Sequence, residues 1–123
     1  MSKHETINYL EIPSRNLAAS KAFFSAVFDW TFTDYGLEYT AFSNAGIDGG
    51  FYASDLTAST ESGSVLVVFY SHNLEATQIK IEAAGGMIVK PIFSFPGGRR
   101  FQFTEPAGSE FAIWSDLTVS ESI

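Results

Sequence analysis

Side chains able to do covalent or metal chemistry are few in this 123-residue chain. There is no Cys, and the two His are His4 and His72. Without Cys there are no thiolate nucleophiles, disulfides or Cys metal sites. With so little His, no Ser-His-Asp or Cys-His set can be assembled. His4 lies in the N-terminal tail, and His72 sits at the turn opening a helix, where it reads as a solvated residue. The FPGGRR stretch (95–100) sets the N–H groups of Gly97 and Gly98 beside Arg99 and Arg100, an arrangement able to cradle phosphate. It lacks the spacing of a P-loop or dinucleotide fingerprint, and a tight hairpin turn accounts for it.

The elements around these residues come in two matching sets. SRNLAAS (14–20) and SHNLEAT (71–77) align so that Ser14, Asn16, Leu17 and Ala19 meet Ser71, Asn73, Leu74 and Ala76. Strand-like runs precede both, INYLEIP (7–13) and VLVVFY (65–70). Helical spacing follows both, with Leu17, Phe23, Phe24, Val27 and Phe28 on one apolar face and Leu74, Ile79, Ile81, Ala83 and Ala84 on the other. Asn16 and Asn73 can each cap a helix; Gly85-Gly86 stops the second, whereas Asp29-Trp30 is a weaker stop for the first. Three short strand-like runs then close each half: 30–35, 38–43 and 49–54, then 87–93, 99–104 and 110–115. Each half therefore reads β-α-β-β-β, and the chain is an internal repeat. The polar segment DLTASTESGS (55–64) reads as the linker. The expected organisation is one domain over 1–123, with module one at about 5–54, module two at about 65–116 and a loose tail at 117–123.

Bulk composition narrows the function further. A hydrophobic fraction of 46% with twelve Phe supports a packed globule. Seven basic against fourteen acidic residues give a net charge of −7, which repels phosphate backbones and anionic lipid. We therefore expect neither nucleic acid nor membrane as a partner. The N-terminal MSKHETINYLEIP lacks a signal peptide's apolar run, and Cys-free composition fits a reducing compartment, so the expected location is cytoplasmic.

Two tandem βαβββ units in about 120 residues resemble the vicinal-oxygen-chelate superfamily of glyoxalases, bleomycin-resistance proteins and extradiol dioxygenases. EIPSRNLAASKAFFSAVFDW resembles its first strand and helix, and PIFSFPGGRRFQFTEPAGSEFAIWS its closing block. The branch it is most similar to is that of predicted lactoylglutathione-lyase-related proteins. The resemblance implies an α+β fold in which two modules curl into an open cup of mixed sheet, with helices on the convex side. It also implies a divalent metal held by His and Glu from several strands. Carried over residue by residue, those positions fall at Tyr9, Leu66, Ala112 and near Gly50, none a good ligand. We therefore expect no metal at these positions and no cofactor, leaving atypical ligands such as Glu11 and Glu110 as the alternative.

If those positions face the cup, strand alternation turns their neighbours the same way. The expected ligand-binding set is Tyr9, Glu11, Leu66, Tyr70, Arg100, Gln102, Ala112 and Trp114, with Tyr39, Phe51 and Val68 completing the lining. Arg100 is the natural anchor for a carboxylate through its planar fork of donors. Glu11 can accept hydrogen bonds from the same ligand, is the one candidate catalytic base, or can simply pair with Arg100. The leading expectation is a protein that binds a small organic metabolite, as a homodimer. One alternative is a glyoxalase-related, metal-dependent lyase or isomerase with atypical ligands. The other is a structural interaction module whose cup is filled by its own side chains or a partner.

Overall fold

The computed structural model describes residues 2–117, and most of the predicted tail lies outside them. In chain order the elements are β1 (Tyr9–Ser14), α1 (Leu17–Phe28), β2 (Thr31–Asp34), β3 (Tyr39–Ser43), β4 (Asp48–Ala53), β5 (Val67–Tyr70), α2 (Leu74–Ala83), β6 (Met87–Phe95), β7 (Gly98–Thr104) and β8 (Glu110–Ser115). They form two four-stranded mixed sheets of identical topology, β1-β4-β3-β2 and β5-β8-β7-β6. In each, the first strand pairs in parallel with the last and all other pairings are antiparallel. This is the predicted α+β fold of paired βαβββ modules.

The repeat extends to individual hydrogen bonds. Asn16 and Asn73 each cap their helix by accepting from the backbone N–H of Ala19 or Ala76, both at 3.1 Å. Ser14 and Ser71 in turn accept from the backbone N–H of Asn16 and Asn73. Their hydroxyls also meet Ser20 at 2.8 Å and Thr77 at 2.7 Å, one turn into each helix. A side chain that satisfies an orphan N–H at the first turn fixes where a helix begins. The α1 helix ends at the expected Asp29-Trp30 stop. Asp29, which looked like a weak stop, adopts the left-handed conformation at φ 59°, and Trp30 N–H bonds back to Phe24 C=O at 3.3 Å. Asp tolerates that conformation better than most non-glycine residues.

One aromatic core joins the two modules. Phe24 of α1 is fully buried, and its ring lies 5.4 Å from Phe51 of β4 and 5.2 Å from Phe111 of β8. Trp30 and Phe69 stack within the same cluster. The turn between β7 and β8 adds a polar fastening. Buried Glu105 accepts from Ser20 Oγ of α1 at 2.9 Å and from the Ala107 and Ser109 N–H groups. Burial pushes its carboxyl above the ordinary value, against the pull of those donors.

The 55–64 segment does more than connect. Ala58 donates its N–H to Ser109 Oγ at 3.0 Å, and its C=O accepts from Glu110 N–H at 2.7 Å. Thr60 is bound to the Glu110 carboxylate through both its N–H and its hydroxyl, at 2.8 and 2.9 Å. A segment read as a polar linker is therefore a strap fastened to the start of β8. Among the described residues no helix is long and apolar enough to cross a membrane.

Candidate functional site

Alternation along β1 sends Ile12 into the core and leaves Tyr9 and Glu11 on the face away from the helices. In the sheet register Glu11 lies opposite Gly50, and Gly50 opposite Ala41. Tyr39, from β3, reaches diagonally over this row. Its hydroxyl donates to Glu11 Oε2 at 3.0 Å and stands 2.6 Å from the Tyr9 hydroxyl. Gly50 makes this possible, because a Cβ there would overlap the Tyr39 hydroxyl. Burial, then the bonds to Tyr9 and Glu11, hold the Tyr39 phenol well above its ordinary pKa, so it stays a neutral donor.

The second sheet presents a different chain of groups on the equivalent face. Arg100, opposite Trp114 in register, stacks over Phe93 with its guanidinium 5.3 Å from the ring centroid. It donates to Gln102 Oε1 at 3.0 Å, and Gln102 Nε2 donates to Glu110 Oε2 at 2.5 Å. Those two partners fix the orientation of the Gln102 amide, since the reverse would face donor with donor. Burial alone would raise the Glu110 pKa, but Thr60, Gln102 and the Lys90 charge outweigh it and hold the carboxyl below the ordinary value. Arg100 Nε is out of water and has no partner among the described residues. Arg99 points to α2 and pairs with Glu75 at 2.6 Å through its terminal nitrogen, while its Nε is likewise out of water without a partner among the described residues. The FPGGRR turn is the expected hairpin, with Phe95 paired to Gly98 and Gly97 at φ 104°.

Most of the predicted residues gather in two clusters, but Phe51, expected in the lining, turns into the core 5.4 Å from Phe24, because strand alternation gives the helix-free face to its neighbour Gly50. Tyr9 and Glu11 meet through Tyr39 on the first sheet. Arg100, Gln102, Ala112 and Trp114 share the face of the second, with Tyr70 packed edge-on to Trp114 at 5.3 Å. Tyr70 also donates to Asp116 at 2.5 Å. Leu66 is half-buried just ahead of β5, outside the strand. Exposed His72 packs edge-to-face with Tyr70 at 5.3 Å. The expected pairing of Glu11 with Arg100 does not form, because they stand on separate sheets and each has its own partner. Thr60 and the linking role of Glu110 went unforeseen. Alternation with Ala112 pointed Glu110 at this face, but nothing in the sequence foretold its bond to residue 60.

Between the inner edges of the sheets, β1 and β5, lies a cavity of about 420 Å³ roofed by the strap. Glu11 and Glu110 contribute to its wall, together with Ile12, Pro13, Val65 and Val67. The fit of a divalent metal can be tested on the side chains themselves. The implied positions carry a phenol, no side chain, a leucine and a fully buried alanine, and the Tyr39 hydroxyl occupies the space above Gly50. Among the described residues no three His, Asp or Glu side chains converge. This donor set does not fit a metal held in the manner the resemblance implies.

Paired βαβββ modules with helix-free faces lined by these groups define a vicinal-oxygen-chelate protein. The chain belongs to the Glyoxalase/Bleomycin resistance protein/Dioxygenase superfamily, whose family model matches residues 6–113. It is 30% identical to the anthracycline biosynthesis protein DnrV of Streptomyces peucetius and 29% identical to DauV of Streptomyces sp. strain C5. Each match covers 86% of this chain and 45% of the relative, so the chain spans about half the length of the curated relatives it matches. Its fold is similar to that of a glyoxalase/bleomycin resistance protein/dioxygenase family enzyme from Burkholderia phytofirmans (TM-score 0.74, 16% identity, covering 89% of this chain and 98% of that one). It is also similar to FosX, a fosfomycin resistance protein of Listeria monocytogenes solved with Mn(II) and a dihydroxypropylphosphonic acid (TM-score 0.74, 17% identity, covering 98% and 96%).

Proposed function

We propose that the protein binds a small organic metabolite with an aromatic body and an anionic group on the helix-free face of the second sheet. The observation that carries this reading is Arg100. Its guanidinium is held flat on Phe93 and braced by Gln102, with one N–H unpartnered out of water. A buried donor left unpaired is unfavourable, so a carboxylate or similar anion arriving there gains a charge-assisted bond and removes that cost. Trp114 and Tyr70 beside it supply the aromatic wall such a ligand needs. Tyr9, Val68 and Tyr70 are each more than two-fifths exposed on these faces, a surface suited to a second copy in a homodimer. The names of the anthracycline biosynthesis relatives extend the ligand search to polycyclic aromatics.

The test is a thermal-shift and calorimetric screen with benzoate, salicylate, naphthoate and larger polycyclic acids. A ligand at 100 times its dissociation constant should add about 2.7 kcal/mol to stability. Arg100→Ala is expected to weaken binding about tenfold or more, since a charge-assisted bond is worth roughly 1.5–3 kcal/mol. Equal affinity in wild type and Arg100→Ala refutes the assignment.

A further inference from the structure

The seam cavity differs chemically from the Arg100 face. Its apolar walls are Ile12, Pro13, Val65 and Val67, and its neutral polar groups are the hydroxyls of Tyr52, Thr57 and Ser64. Its two charged wall residues are Glu11 and Glu110, and no Lys, Arg or His lines it. Hydrogen-bond direction decides what polar group it can meet. Tyr39 donates its one proton to Glu11 Oε2, so in the 2.6 Å contact between the phenols Tyr9 must be the donor. Both phenolic protons are then spent. Of these three side chains only Glu11 lines the cavity, and it offers Oε1, which takes no hydrogen bond among the described residues. Glu110 differs, because Thr60 and Gln102 already occupy its oxygens. It therefore adds negative charge to the cavity and little free acceptor capacity.

We propose that this cavity is a second binding site, taking a small apolar amine as its ammonium ion. The ammonium donates to Glu11 Oε1, and the apolar body lies between the Ile12–Pro13 edge of β1 and the Val65–Val67 edge of β5. At about 420 Å³ the space suits a ligand of one or two fused rings. A carboxylate is disfavoured by repulsion from two like charges, with no cationic side chain in the wall to offset it. The site stands apart from the anion-binding reading. It uses neither Arg100 nor Trp114, so each proposal can fail without the other.

The experiment compares three probes of one shape: naphthylmethylamine, naphthalenemethanol and naphthoate. Binding is measured by calorimetry and located by amide chemical-shift mapping on the wild-type chain and on Glu11→Gln. Glu11 is exposed, so the variant should fold, and an unchanged melting temperature verifies it. The amine is expected to bind most tightly and to move amides of residues 10–13 and 56–67. Glu11→Gln should weaken the amine about fivefold to tenfold, a partly exposed charge being screened, and leave naphthalenemethanol unchanged. Raised salt should weaken the amine alone. The proposal is overturned if the amine fails to bind, if Glu11→Gln leaves its affinity unaltered, or if its shifts fall on β7 and β8 around Arg100.

Discussion

Phe24→Ala probes whether the two modules are one cooperative unit. The ring is fully buried and lies within 6.4 Å, centroid to centroid, of Phe23, Phe28, Trp30, Phe51, Phe69 and Phe111. Of these, Phe69 and Phe111 belong to the second sheet, while Phe24 itself comes from the first module. Truncating a buried Phe costs about 3–5 kcal/mol through lost transfer energy and the cavity left behind. The close stacked contact with Trp30 and the edge-on contact with Phe111 push the expectation to the upper half of that range. A chain of this length has roughly 6–18 kcal/mol in total, so the variant should fold while melting about 15 °C lower. Urea titration followed separately through Trp30 and Trp114, each isolated by replacing the other with Phe, reads the two modules independently. Both transitions should shift together. A loss below about 2 kcal/mol, or a Trp114 transition that stays in place while the Trp30 transition moves, would refute the shared core.

Gly50→Ala should cost about 1–3 kcal/mol, because its Cβ forces the Tyr39 hydroxyl off Glu11 and Tyr9. In a Tyr39→Ala background the same change should cost little, and equal losses in both backgrounds would disprove the overlap. The bond from Thr60 to Glu110 predicts a pH dependence. The Glu110 pKa is held below its ordinary 4.5 in the folded state, so its contribution is complete above that value and disappears as pH falls through the lower folded one. The stability gap between wild type and Glu110→Gln, about 1.5–3 kcal/mol at neutral pH, should therefore shrink on acidification, read by urea titration at a series of pH values. A gap that stays constant or widens would contradict the assigned direction.

How legible each feature was depended on how far apart its determinants lie in the chain. The Asn caps, the Gly85-Gly86 stop and the FPGGRR hairpin each rest on residues within a few positions of one another, and all appear where composition placed them. The helix-free faces of β1, β7 and β8 followed from two-residue alternation, which needs only the strand to exist. The Asp29 stop was only weakly legible because its left-handed turn is supported from a distance, with Asn44 bonded to its carbonyl. Glu11 and Arg100 were plausible partners on charge alone, yet the topology set them on different sheets.

The duplicated β-α-β-β-β plan, the helix boundaries and the helix-free faces of β1, β7 and β8 were readable from the sequence, because these depend on local hydrogen bonding and period. The face that Phe51 takes on β4 was not. Only the tertiary structure decided that Tyr39 lies over Gly50, that Thr60 holds Glu110 across a separation of 50 residues, and that a cavity opens between β1 and β5. Those features depend on inter-strand register and on the packing of two sheets against one aromatic core. Such contacts are set by which surfaces meet when the whole chain buries its apolar area, and no local pattern encodes them.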